Sequence, residues 1–346
     1  MALKVTKLTL QVVIALVGVV GNLLVCIVIT KRANMKTTMN LYLRNLAIAD
    51  LGVLLVTFPL LAIAEHGTSG FPFGRFFCLY IYPATEIFYG ASTWSITVIA
   101  IERYRNIISR RSFAKRAESS KKVTLKILLI WLISFIVVAV PMYPIIVYHE
   151  VTRACYPDWP HFADGVMIKV YVIVIAVFWY LLPLGIITCT YMKISNKLKQ
   201  STIFHKAMHG EDSAKSNLIK KEERQRLKQN KKAKRILTPL ILVFVITMLP
   251  FNIFRFAAAF SYQFHYNKFY YLYASVCGLF VVINSAVDPI IYYISSKEFR
   301  KVLQPMLSLG CSQKQHSDDS QTKISPTTKT QREALSPTQE LAELEM

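Results

Sequence analysis

The chain has 346 residues, 53% of them hydrophobic and 18% charged, with a mean hydropathy of +0.38. Soluble domains carry about 25% charged residues, so this composition excludes an ordinary soluble enzyme. The formal net charge of +21 would suit nucleic acid, but the cations stand in short blocks between apolar runs, as in membrane proteins, and nucleic acid is not the expected partner.

Seven apolar runs follow one another at 8–30, 41–64, 77–101, 123–147, 170–192, 236–260 and 269–294. Each reaches the roughly 20 residues needed to cross a bilayer core as a helix. Alternation at strand period is absent, which argues against a β-barrel. The first run exceeds the roughly 7–15 residues of a signal-peptide core, so it is expected to stay as a helix. Residues 1–7 are expected to form a short extracellular N-terminus, 8–303 the membrane domain and 304–346 a disordered cytoplasmic tail rich in Ser and Thr. The stretch 193–235 is rich in Lys, Glu and Gln and lacks a core. It is expected to extend the fifth and sixth spans as helix on either side of a flexible link.

Lys and Arg set the orientation. One side carries Lys31, Arg32 and Lys36, then Arg105, Arg110, Arg111, Lys115, Arg116, Lys121 and Lys122, then the run from Lys220 to Arg235, and finally Lys297, Arg300 and Lys301. The other side has only Lys4, Lys7, Arg75, Arg153, Lys169 and Lys268. The positive-inside rule places the first group and the C-terminus in the cytoplasm and the N-terminus outside, as in a multi-pass plasma-membrane protein. The run 220–235 has two readings: a solvated helix face touching anionic lipid, or a contact with a protein partner.

Ionisable residues inside spans are costly and mark function by default. Those singled out here are Asp50, Glu86, Glu102, Arg103, Arg255 and Asp288. They form no continuous stripe, and the two halves of the chain show no repeat, which argues against a channel or transporter. The six cysteines include no CxxC pair and no His/Cys cluster of zinc spacing. Cys26, Cys189 and Cys277 fall within spans and read as packing residues.

Ordered motifs run through all seven spans. Span one has Gly21-Asn22-Leu23-Leu24-Val25 and span two Leu46-Ala47-Ile48-Ala49-Asp50. Span three has Cys78 and, 25 residues on, Arg103 within Glu102-Arg103-Tyr104. Trp131 and Pro141 mark span four, Pro183 and Tyr191 span five, and Phe244 and Pro250 span six. Span seven holds Asn284-Ser285-Ala286-Val287-Asp288-Pro289-Ile290-Ile291-Tyr292, with Phe299 beyond it. Over residues 8–303 the chain resembles the rhodopsin-like G-protein-coupled receptors.

That resemblance implies an all-α seven-transmembrane helix bundle with a short amphipathic cytoplasmic eighth helix, and a receptor rather than an enzyme. It implies a disulfide between Cys78 and Cys155. Asn22, Asp50, Ser92, Asn284, Ser285 and Asp288 resemble the family's sodium and water pocket, with sodium held at Asp50. The other reading of that set is a hydrogen-bonded plug that fixes helix packing. A carboxylate buried there must pair, bind a cation or become neutral. Arg103 would pair with Glu102 at rest and turn to the G protein on activation, with Tyr191 and Tyr292 swinging toward it and Pro250 acting as the hinge of span six. Cys311 would carry a palmitoyl group. Phosphorylation of the tail by receptor kinases would build an anionic strip for arrestin; a passive solvated tail is the alternative.

The chain departs from the family pattern at four places. Met248 stands where a tryptophan is usual, and Asp288 replaces the commoner Asn. Asn230 is not an acid, and Arg110 and Arg111 occupy places that often hold proline and an apolar residue, with Phe113 left to supply the apolar contact. Thr85 occupies the place of the aminergic aspartate and Val282 that of the opsin lysine, so neither chemistry is present. The loop around Cys155 and Trp159 suits a short hairpin over an open vestibule. Together with Phe58-Pro59 it resembles the neuropeptide receptors. Glu65, Thr85, Glu86, Trp159 and Arg255 are then the expected ligand-binding residues. Arg255 would meet a peptide's carboxyl or amide end and Glu86 a basic side chain, or the two would bridge each other. A receptor for a lipid or other small molecule and a non-signalling scaffold remain as alternatives.

Overall fold

The computed structural model describes the backbone of residues 2–66, 70–108, 119–160, 165–207 and 214–308. Arg110, Arg111, Phe113, Cys311 and the Ser/Thr-rich tail lie outside the described residues, as do the side chains of Glu65 and Asn230. Residues 1–305 form one compact unit, and 306–346 a second, of which only the end of a helix is described.

Among the described residues, seven long helices follow the order of the apolar runs. Helix α1 is Ala2–Lys31. Helix α2 runs through Thr38–Gly52, a π turn at Val53–Thr57 and Phe58–His66. Thr37 caps its start by accepting a hydrogen bond from Asn40 N–H. Helix α3 runs through Gly74–Phe76, a π turn at Phe77–Ile81 and Tyr82–Ile108. Helix α4 is Ser120–Ser134, a π turn at Phe135–Ala139 and Val140–Met142. Strands β1 (Ile146–His149) and β2 (Ala154–Pro157) form an antiparallel hairpin with Tyr148 opposite Cys155. Helix α5 is Val166–Ala176, a π turn at Val177–Leu181 and Leu182–Ala207. Helix α6 is Ala214–Phe260, α7 is Tyr270–Ser295, and the short α8 is Lys297–Ser308.

Each π turn ends two residues before a proline: Pro59, Pro83, Pro141 and Pro183. The N–H preceding each proline reaches five residues back, from Phe58 to Val53, Tyr82 to Phe77, Val140 to Phe135 and Leu182 to Val177. Proline has no N–H, and its ring presses on the carbonyl four residues earlier. One extra residue in the turn widens the ladder where that bond is missing. Pro239, Pro250 and Pro289 instead lie inside helices that continue through them.

The expected spans shift at several ends. Helix α1 is already formed at Ala2, ahead of the expected start at 8. Helix α3 continues to Ile108, beyond the expected 101. Span four does not reach 147: its helix stops at Met142, and Ile146 and Val147 are in a strand. Pro144 explains the stop: Tyr143 still holds helical angles and donates to Ala139 O, but Pro144 has no N–H with which to carry the ladder on. Helices α5 and α6 extend through most of 193–235, and residues 208–213 between them lie outside the described residues.

Six helical segments among the described residues are long and apolar enough to cross a membrane. Helix α3 is less apolar because it is the inner helix. No residue between Ile81 and Tyr104 is exposed, and its buried positions include Gly90, Ser92, Thr93, Ser95 and Thr97. A Cβ on Gly90 would come within 2.6 Å of Trp179 Nε1 and 2.7 Å of Ser134 Oγ, so hydrogen there lets α4 and α5 close on α3. The other helices bury one side and expose apolar residues such as Leu16, Leu55, Leu128, Leu181 and Ile246 on the other, the pattern of a lipid-facing surface. The chain is a multi-pass membrane protein. On α8, Phe299 and Leu303 are buried while Lys297 and Lys301 are exposed.

Candidate functional site

A cavity of about 380 Å³ lies at the hairpin end of the bundle. Helix α3 gives it Tyr82, Thr85, Glu86 and Tyr89, spaced as one helical face. Helix α6 gives Phe251, Phe254, Arg255 and Ala258 with the same spacing. Tyr171 of α5, Tyr270 of α7, Pro157 at the end of β2 and Trp159 just beyond it complete much of the wall. A disulfide between Cys78 and Cys155 ties the start of α3 to β2, which holds the hairpin beside the cavity.

The charges in this cavity meet each other. Arg255 donates from Nη2 to Glu86 Oε1, and both side chains are about one-fifth exposed, at 20% and 19%. The guanidinium also lies 4.5 Å from the centre of the Phe251 ring. Trp159 packs on Tyr171 with ring centres 5.1 Å apart. Thr85 is buried and donates to Tyr82 O at 2.7 Å. Of the expected ligand-binding residues, Thr85, Glu86, Trp159 and Arg255 line one cavity, while the Glu65 side chain lies outside the described residues. Tyr82, Tyr89, Tyr171 and Phe251 were not expected there. Helical spacing around Glu86 and Arg255 was the signal that could have found Tyr82, Tyr89 and Phe251.

Deeper in the bundle the polar residues join the helices. Asn22 of α1 donates to Gly18 O at 2.9 Å and to Ser285 O of α7 at 3.0 Å. Ser92 of α3 donates to Asp50 Oδ1 of α2 at 3.0 Å, and Asp288 and Ser285 also face Asp50. Asn22 Oδ1, Asp50 Oδ2 and Asp288 Oδ2 are buried with no hydrogen-bond partner among the described residues. Asn284 Oδ1 instead meets Thr247 Oγ1 of α6 at 3.0 Å. A second network, not anticipated, centres on Asn45. It donates to Ser95 Oγ at 2.7 Å and accepts from Trp131 Nε1 at 2.9 Å, joining α2, α3 and α4.

Phe244 and Met248 are buried in the largest core cluster together with Tyr180, whose ring centre is 5.9 Å from that of Phe244. Pro250 follows one half-turn on, and Asn252 Nδ2 donates to the Met248 carbonyl at 2.8 Å. At the end opposite the hairpin, Glu102 is buried with Arg105 Nη1 at 3.7 Å. Arg103 is half-buried beside it, and Lys193 lies 5.5 Å from the centre of the Tyr104 ring. Tyr191 is met by Thr238 Oγ1 at 3.4 Å. Tyr292 is buried, follows Pro289 by three residues, and packs on Phe299 at 6.0 Å. The structure thus gathers the cavity residues at one end and the Glu102-Arg103-Tyr104 group at the other, with the Asp50 cluster between.

The family model described as "7 transmembrane receptor (rhodopsin family)" matches residues 21–292. The neuromedin-U receptor 2 of Rattus norvegicus is 31% identical over 86% of this chain and 74% of its own length. The somatostatin receptor type 2 of Mus musculus is 29% identical over 93% of this chain and 84% of its own. The galanin receptor type 1 of Rattus norvegicus is 29% identical over 87% of this chain and 82% of its own.

Proposed function

The chain belongs to the rhodopsin family of seven-transmembrane receptors, and from that premise we propose that it is a G-protein-coupled receptor for a short peptide, acting at the plasma membrane with its N-terminus outside. The carrying observation is the cavity at the hairpin end, with its Glu86–Arg255 pair and tyrosine-rich wall. Its 380 Å³ lies in the range of small-ligand pockets, so it takes the end of a peptide and leaves the remainder over the hairpin. The relatives are named as receptors for neuromedin-U, somatostatin and galanin, which supports a peptide ligand for this chain.

Signalling is a population shift: agonist binds the active arrangement better than the resting one. A ligand end that engages Arg255 or Glu86 acts on α6 or α3 directly. Helix α6 moves about Pro250, where the proline lacks a backbone N–H, and opens a cytoplasmic cleft beside Arg103. Tyr191 and Tyr292 then turn toward Arg103, which meets the G protein. Met248 packs adaptively in the core beside this hinge. Residues beyond α8 serve receptor kinases and arrestin, and Cys311 is the lipidation site.

The residues around Asp50 fit a monovalent cation. Three buried oxygens there, on Asn22, Asp50 and Asp288, have no hydrogen-bond partner among the described residues, and hard cations take oxygen ligands. Asp50, Asp288, Ser92, Ser285, Asn284 and Asn22 would form its surroundings. When bound, the ion supplies a positive charge between α2 and α7.

The test is G-protein activation across the major Gα classes in cells expressing the chain, challenged with amidated and free-acid peptides. A dose-dependent response that Arg103→Ala abolishes at equal surface expression is expected. Silence toward every peptide with intact basal activity would move the ligand to a lipid or another small molecule. Silence with no basal activity would favour a scaffold.

A further inference from the structure

One ionisable residue inside a span has no role in the site described above. Arg44 lies six residues beyond the start of α2 at Thr38, or about 9 Å along the helix. It is half-buried, and among the described residues no carboxylate pairs with its guanidinium. An arginine at that depth needs an anion or a route to the interface. The surrounding sequence supplies no acid. Residues 1–49 and 119–149, which contain α1, the first part of α2 and all of α4, hold no Asp or Glu.

The helix face identifies what lies beside Arg44. Ile48 and Leu55 share its side of α2 at helical spacing and are 46% and 55% exposed. Leu23 and Ile27 of α1 are exposed as well, and Cys26 Sγ lies 3.9 Å from the Arg44 carbonyl oxygen. The bond from Trp131 to Asn45 sets α4 alongside α2 on the other flank. Lys31, Arg32 and Lys36, and Lys121 and Lys122 at the start of α4, are all exposed toward the same end of the bundle. An unpaired arginine thus stands above a ring of cations and below an apolar strip that faces lipid.

We propose that Arg44 forms the centre of a site for one anionic diacylphospholipid between α1, α2 and α4. Its phosphate accepts hydrogen bonds from the Arg44 guanidinium. One acyl chain lies along Ile48 and Leu55, and the interfacial lysines favour a headgroup with negative charge. The site is on the cytoplasmic leaflet, a placement that rests on the orientation proposed above. Neither peptide ligand nor G protein is needed to occupy it.

The test uses the full chain in phosphatidylcholine nanodiscs doped with a photoactivatable phosphatidylserine or, separately, a photoactivatable phosphatidylcholine of the same acyl chains. Labelling of the segment 38–57 is mapped by mass spectrometry. The serine lipid should label it about tenfold more than the choline lipid, the size expected of one charge-assisted contact. Arg44→Gln should lower labelling by the serine lipid and shrink its preference over the choline lipid to what the interfacial lysines alone give, while Arg44→Lys should keep most of that preference. Equal labelling of the unaltered chain by both probes overturns the site, and that comparison does not depend on any variant folding. Excess glycerophosphoserine, which has no acyl chains, should not compete. If it does, the site takes a free anion and the lipid assignment fails. Because neither agonist nor G protein is present, this outcome is independent of the receptor assay.

Discussion

Thr247 Oγ1 on α6 lies 3.0 Å from Asn284 Oδ1 on α7 and 2.7 Å from the Val243 carbonyl of its own helix. A hydroxyl has one proton, so it donates to one of these oxygens at a time. Donation to Asn284 ties α6 to α7 less than one turn before Pro250. Thr247→Val keeps the shape and removes the tie. One such bond is worth about 1 kcal/mol, so the population of the active arrangement should rise about fivefold. Ligand-free nucleotide exchange measured at matched surface expression checks this, and an unchanged basal rate would remove Thr247 from the hinge.

The Glu86–Arg255 pair calls for a double-mutant cycle. Either single change, Glu86→Gln or Arg255→Gln, leaves a charge in a largely buried wall. For a pair still about one-fifth exposed the cost is about 2 kcal/mol, below the full value for a buried bridge. The exchange Glu86→Arg with Arg255→Glu should recover most of the thermal stability while agonist potency stays low. If potency recovers as fully as stability, the pair is structural and the ligand does not read its polarity.

The number and order of the helices were legible because each contains a largely apolar run of about 20 residues or more, a requirement of the bilayer rather than of the fold, and α3, the least apolar, carries Cys78 and Glu102-Arg103-Tyr104 as further markers. The ends were less legible. Pro144 signals a stop, yet Ile145, Ile146 and Val147 continue the apolar run, and hydropathy cannot tell a strand from a helix there. The four π turns were hidden for a related reason. Pro59, Pro183, Pro250 and Pro289 each remove a backbone hydrogen bond, and nothing local distinguishes the first two, which follow π turns, from the last two, which lie in uninterrupted helix. Charged residues of the candidate site stood out in an apolar background, whereas Tyr82, Tyr89 and Tyr171 look like any interfacial aromatics. Arg44 carries no motif in the sequence to single it out. Only its half-buried position and lack of an acid partner set it apart.

Helix α1 approaches α7 through Gly18. A Cβ there would stand 2.8 Å from Ala286 Cα and 2.7 Å from Leu54 Cδ1, and the first of these is backbone. Gly18→Ala gains about 1 kcal/mol of helix propensity and loses about 1–3 kcal/mol to overpacking. Because the obstacle includes backbone, the loss should prevail. The purified protein should melt several degrees lower, with the Cys78–Cys155 disulfide intact. A Tm at or above that of the parent would mean that α1 shifts without cost.

The Asp50 cluster separates a cation site from a polar plug by a measurement on the protein alone. A cation held between Asp50 of α2 and Asp288 of α7 binds the folded arrangement and not the unfolded chain, so it stabilises by mass action. At one hundred times its dissociation constant, the gain is about 2.7 kcal/mol. Replacing choline chloride by sodium chloride at fixed ionic strength should therefore raise the Tm of the purified protein. Asp50→Asn keeps an oxygen for Ser92 to donate to, preserving the 3.0 Å contact, but removes a charge that the ion needs. That variant should show the same Tm in both salts. A plug held only by hydrogen bonds predicts a different pattern, with no sodium dependence in the parent and an Asn variant that differs from it equally in either salt.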